Sequence, residues 1–162
     1  MEALLLIPFG LLLGALIVYL ADVLPYRRRF SRPVCAFCGT QMGCQAYASF
    51  QPCPECGKGR RARNIFVPIH TAAVVTALWY LDPRTLPIEL PFWLAVLLLA
   101  FFALVAIIDL EYHAVLTEMS VLGAGLGLAA GLLRNTWLET LAGGAAGFGI
   151  MLVLYLFGRL FG

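Results

Sequence analysis

Two groups of residues in this chain have types and spacings that could do chemistry. The first lies in CAFCGTQMGCQAYASFQPCPECG, residues 35–57. Here Cys35/Cys38 and Cys53/Cys56 form two C-x-x-C pairs separated by 14 residues, each followed by a glycine, Gly39 and Gly57. A tight turn in C-x-x-C-G aims two thiolates at one point, and glycine permits the turn. Four thiolates on one ion make a closed tetrahedral site of the structural zinc kind. Four sulfurs also suit iron, and the blander alternative is two redox or disulfide pairs. Cys44 falls outside the pairs and reads as a free thiol. A site with no open position folds a loop and leaves catalysis to other residues.

The second group is built around Asp109. The run LAFFALVAII ends in this one acid, and Glu111, Tyr112, His113, Thr117 and Glu118 follow before a second apolar run begins. A carboxylate carried into a membrane-spanning helix costs up to about 2.5–3.5 kcal/mol at the helix centre on insertion scales, and one kept at the end of such a run is a functional candidate. The chemistry would be acid–base work. Two neighbouring carboxylates cannot both ionise, so one holds a proton while the other activates water. Candidate partners are Glu111, Glu118, Asp22 and His113, the last an i,i+4 neighbour of Asp109 on a helix. Three of these also have a bland reading. Glu111 and His113 fit a solvated interface pair, and Asp22 fits an interface acid paired with Arg27 or Arg28. His70 fits a buried polar residue bonded to a neighbouring helix.

The elements that position these groups follow from composition. Hydrophobic residues make up 62% of the 162-residue chain and charged residues 12%, against roughly half and a quarter in soluble domains. Mean hydropathy is +0.90. A span needs about 20 mostly apolar residues, and five segments qualify: 3–24, 65–81, 91–108, 115–133 and 138–161. They must be helices, because lipid cannot satisfy an open backbone. Pro25, Pro83, Pro87 and Pro91 punctuate span ends. The glycines of the last two spans, among them Gly127, Gly131, Gly143 and Gly147, predict close helix contact there. The expected fold is an all-α integral membrane protein. It comprises a first helix (1–24), a zinc-knuckle loop (25–64) and a four-helix membrane segment (65–162).

Eight of the eleven basic residues lie between positions 27 and 63. A basic block between apolar spans marks the cytoplasmic side, so the N-terminus is expected outside. A net charge of +2 is too small to make nucleic acid a partner. A reducing compartment favours metal over disulfide for the cysteines. Glu2 stands where a signal peptide would carry positive charge, so the first helix reads as an anchor. Asp109 and the cysteines then share the cytoplasmic membrane face.

Taken in order, these features resemble the prepilin peptidase family, the membrane aspartic proteases also called type IV leader peptidases. GALIVYLADVLPYRRRF resembles its opening helix and the Asn-Val…Arg-Leu-Pro stretch after it. The double C-x-x-C resembles its cytoplasmic zinc loop, and NIFVPIHTAAVVTALWYL its second helix. AIIDLEYHAVLTEMSVLG resembles its first catalytic motif. The resemblance implies an endopeptidase that cleaves the leaders of type IV prepilins or type II secretion pseudopilins at the cytoplasmic face of the bacterial inner membrane. Asp109 would be the first catalytic aspartate. It further implies possible N-methylation with S-adenosylmethionine, for which no fingerprint stands in the sequence. The family's second aspartate, in Gly-x-Gly-Asp, does not occur in these residues. Asp22 replaces the usual Asn, Leu116-Thr117 the usual Leu-Pro, and His70 stands about where a Glu is usual. The expectation is therefore a shortened enzyme, or else a non-catalytic, zinc-stabilised membrane scaffold.

Overall fold

In a computed structural model of the chain, the described residues are 2–27, 30–59, 61–81, 91–112 and 117–161. Six helices form among them: α1 (Glu2–Arg27), α2 (Cys44–Ala48), α3 (Arg63–Leu81), α4 (Phe92–Tyr112), α5 (Thr117–Arg134) and α6 (Trp137–Phe161). No strand forms among the described residues, only an isolated antiparallel bridge between Val34 and Gln41. The all-helical expectation is met. Three helices, over Leu5–Arg27, Arg63–Leu81 and Phe92–Tyr112, are long and apolar enough to cross a membrane. The other two expected spans fall on α5 and α6. The apolar part of α5, Met119–Arg134, is shorter than those three.

The chain forms two compact units, residues 1–119 and 120–162. In the first, α1 packs against both α3 and α4. Ile17 and Ala21 of α1 meet Leu104 and Ile108 of α4 near one end of the bundle. Leu6, Val75 and Val96 join the three helices near the other. That far end also carries an aromatic girdle, in which Phe9 meets Trp93 and Trp79 meets Phe92 edge to face. Aromatic rings at a span end are what a membrane–water boundary selects.

The α1–α3 contact is backbone on backbone. A Cβ on Gly10 would lie 2.5 Å from Ala72 Cα, and one on Gly14 would lie 2.4 Å from Pro68 Cα. Small residues four apart thus set this approach. The glycines expected to pack closely are different ones. Nothing described lies within 4 Å of a Cβ placed on Gly125, Gly127, Gly143, Gly144, Gly147 or Gly149. In the second unit Gly131 is crowded, by Thr140 at 2.5 Å. Thr136 and Glu139 close a capping box at the start of α6: Glu139 accepts from Thr136 N–H at 3.0 Å, and Thr136 Oγ1 accepts from Glu139 N–H at 3.4 Å.

Pro25 does not end α1, which runs two residues further. Its missing N–H deprives the Ala21 carbonyl of a helical donor. Side-chain packing holds the last turn instead: the Tyr26 ring lies against Gly39 and stacks edge-on against Tyr112, centroids 5.8 Å apart.

Candidate metal centre and the charged cluster beside it

The two C-x-x-C-G segments fold as near copies. Gly39 N–H donates to the Cys35 carbonyl and Gly57 N–H to the Cys53 carbonyl, each at 2.8 Å. Cys35 N–H then donates to Thr40 O at 2.9 Å, and Cys53 N–H to Lys58 O at 3.1 Å. Both glycines take positive φ, +70° at Gly39 and +68° at Gly57, where a side chain would be strained. The turns face each other and bring Cys35, Cys38, Cys53 and Cys56 together, all four Sγ atoms within 4.8 Å. Cys35 Sγ lies 3.7 Å from Cys56 Sγ, and Cys38 Sγ lies 3.7 Å from Cys53 Sγ.

These distances discriminate between chemistries. A disulfide needs about 2.05 Å between sulfurs, and all five cysteines are free. A tetrahedron with metal–sulfur bonds of about 2.3 Å has edges of about 3.8 Å. The donor set therefore fits a four-thiolate ion. Cys44 is exposed at the start of α2, outside the cluster. The thiols differ in readiness to ionise. Burial pushes Cys35 up to about 11. Hydrogen bonds from Thr40, whose hydroxyl lies 3.4 Å from Cys38 Sγ, bring Cys38 down to about 6.

The knuckle is tied down against the helix ends. Tyr19 O–H donates to Ser31 O at 2.5 Å, and Tyr26 O–H donates to Ala36 O at 3.4 Å. Tyr47 O–H donates to Asp22 Oδ2 at 2.6 Å. Asp22 is 1% exposed, and Arg63, the first residue of α3, forms an ion pair with it. The same guanidinium pairs with Glu111 in the last turn of α4. Arg61 reaches Glu111 at 2.5 Å and donates to Ala36 O at 3.2 Å. Glu111 holds the Arg61 pKa above its ordinary value, against the opposing effect of burial. One arginine thus joins three helices, and a second links them to the knuckle.

This cluster also marks a level along the bundle. From Arg63 to Leu81, α3 has 19 residues, or about 28 Å at 1.5 Å per residue. The hydrocarbon layer of a bilayer is about 30 Å thick. Asp22, Arg63 and Glu111 therefore lie where a membrane boundary would fall.

Asp109 sits two residues before Glu111 on α4, at the same end of the bundle as the sulfurs. Ile108 is buried against α1, whereas Asp109 is exposed and has no hydrogen bond or ion pair among the described residues. The expected candidates fare differently. Asp22 takes Arg63 and Tyr47 as partners, where local spacing pointed to Arg27 or Arg28; Arg28 lies outside the described residues. Glu111 sits in a partly buried double ion pair, where a solvated pair with His113 was expected. His113 and the Glu118 side chain lie outside the described residues. His70 is exposed, where burial was expected. It lines a groove of about 110 Å³ together with Leu13, Ile17, Thr71 and Ala100. Arg63 is the residue that sequence reasoning missed. Its signal was available: an acid ending one span, an arginine starting the next, and an acid ending the third all reach one face.

No protein-family model, curated protein or solved structure matches this chain.

Proposed function

We propose that this chain is a membrane aspartic endopeptidase acting on the leaders of type IV prepilins or type II secretion pseudopilins. It would work at the cytoplasmic face of a bacterial inner membrane. Five helices cross the membrane with the N-terminus outside, and the cysteine knuckle holds zinc. The observation that carries the reading is the place of Asp109. It is an exposed carboxylate about 3 Å along the helix axis from the Glu111 level, on the end of the bundle that bears the four thiolates. A helical substrate lying in the bilayer would meet it where its apolar part ends. Asp109 supplies one carboxyl of a proton-sharing pair. Asp22 and Glu111 are engaged by arginines, so neither carboxylate is turned toward Asp109 as its pair. The partner acid has to come from elsewhere, and Glu118 is the candidate within these residues. Zinc, when bound, keeps the knuckle folded and takes no part in the cleavage.

A second reading, a non-catalytic zinc-stabilised scaffold, is favoured by that same engagement of Asp22 and Glu111. The experiment is cleavage of a prepilin by the full chain reconstituted in membranes, beside Asp109→Asn. Cleavage that the substitution abolishes, with membrane insertion unchanged, supports the peptidase. No cleavage by a metal-loaded, folded chain favours the scaffold, and normal processing by the D109N variant removes Asp109 from the mechanism.

A further inference from the structure

The eight basic residues between positions 27 and 63 do not share one role. Arg61 and Arg63 are consumed inside the protein by Glu111 and Asp22. Arg27, Arg32 and Lys58 are exposed and make no ion pair among the described residues. Glu55 is the one acid in the sequence between residues 25 and 64. These three exposed cations, at the end of α1 and in the loop that follows it, thus have no acid partner among the described residues.

The height of this face matters as much as its sign. A loop extending into solvent would place those cations far from lipid. Instead, the Ser31 carbonyl is bound by Tyr19, eight residues before the last residue of α1. Ser31 therefore lies beside the flank of α1 rather than beyond its end, and Phe30 and Arg32 flank it at the level of the Asp22–Arg63–Glu111 cluster. Phe37 and Lys58 are held at the same level: Arg61 touches Glu111 at 2.5 Å and the Phe37 ring at 4.8 Å, and Lys58 Nζ lies 4.9 Å from that ring. Phe30 is 77% exposed and Phe37 42% exposed. Water penalises such rings, whereas the headgroup zone accommodates them.

We propose that this face of the knuckle binds the anionic phospholipid headgroups of the leaflet its own helices enter. Arg27, Arg32 and Lys58 meet the phosphates, and Phe30 and Phe37 dip among the upper acyl carbons. Basic residues flanking a span are drawn to anionic lipid about fivefold each, so three together favour it on the order of a hundredfold. A positively charged peptide would be repelled here. A soluble polyanion would match the charge but leave both phenylalanines in water.

The test uses the full, metal-loaded chain in nanodiscs of equimolar phosphatidylcholine and phosphatidylglycerol. After exchange into a neutral detergent, the ratio of the two lipids retained by the protein is read by mass spectrometry. The chain should retain phosphatidylglycerol in strong excess, and added salt during exchange should reduce that excess. The triple variant R27Q/R32Q/K58Q should retain the two lipids in near-equal amounts while keeping its metal and its helical content. The proposal is overturned if the unaltered chain shows no preference, or if the folded triple variant keeps it. It is also overturned if inorganic phosphate or a short RNA displaces the phosphatidylglycerol, which would make the ligand a soluble anion.

Discussion

Replacing Arg63 with alanine removes a side chain that contacts both Asp22 of α1 and Glu111 of α4. The two acids should respond unequally. The Glu111 side chain is 20% exposed and keeps Arg61, so its loss is that of a partly screened pair, below about 1 kcal/mol. The Asp22 side chain is 2% exposed and loses the guanidinium that pairs with its buried charge. Breaking a buried pair from one side costs about 3–5 kcal/mol. Tyr47, at 2.6 Å, continues to donate to Asp22 and places the expected loss near the lower bound, about 3 kcal/mol, or roughly a hundredfold in the folding constant. A second substitution isolates the cause. In the R63A background, Asp22→Asn removes the buried charge while leaving an acceptor for Tyr47, and should restore about half of the loss. The assay is detergent-mediated unfolding of the purified chain followed by circular dichroism. A loss under about 1 kcal/mol for R63A would refute the view that Asp22 is a buried charge dependent on this arginine. So would a double variant no more stable than the single one.

Three further outcomes follow from the geometry. Cys35→Ser should abolish stoichiometric metal and lower folded yield, whereas Cys44→Ser should change neither; metal analysis of both variants reads this, and full metal content in C35S would exclude the four-sulfur site. In the metal-stripped chain Cys38, ionising near about 6, should be alkylated readily at neutral pH, whereas Cys35, raised to about 11, should react only in strong alkali; mass mapping across a pH series should show Cys38 labelled first, and the opposite order would refute the assignment. Gly14→Ala should force α1 and α3 apart and cost about 1–3 kcal/mol, because its Cβ meets Pro68 Cα at 2.4 Å. Gly147→Ala, with open space around it, should be neutral or stabilising by up to about 1 kcal/mol; equal effects of the two in the same unfolding assay would contradict the packing.

Much of the frame was legible from residue order. The span expected at 65–81 and the helix Arg63–Leu81 nearly coincide, as do 91–108 and Phe92–Tyr112, because a continuous apolar run of that length has one low-energy form in lipid. The cysteine pairs were legible for a related reason. In C-x-x-C-G and the residue after it, the turn, its hydrogen bonds and the positive φ are all settled within six residues. What escaped were contacts between residues distant in the chain. For Asp22, sequence proximity points to Arg27 or Arg28, while an arginine that pairs with it in the fold, Arg63, stands 41 positions away. Glu111 fits a solvated pair with its neighbour His113 by sequence, whereas Arg63 reaches it from 48 positions away. The glycines of the last two helices drew attention by number, while Gly10 and Gly14 alone meet a helix backbone in the first unit.

By itself, then, the amino-acid order determined where helices run, which four sulfurs belong together, and that an acid would stand at the end of α4. Hydrophobic length and turn geometry are short-range physics, and they act before the chain has folded on itself. Tertiary structure alone decided that Arg63 would neutralise two acids from different helices, and that the knuckle would lie along the flank of α1. Only the packing of α1, α3 and α4 brings those groups within a few ångströms, and charge pairing depends on that separation.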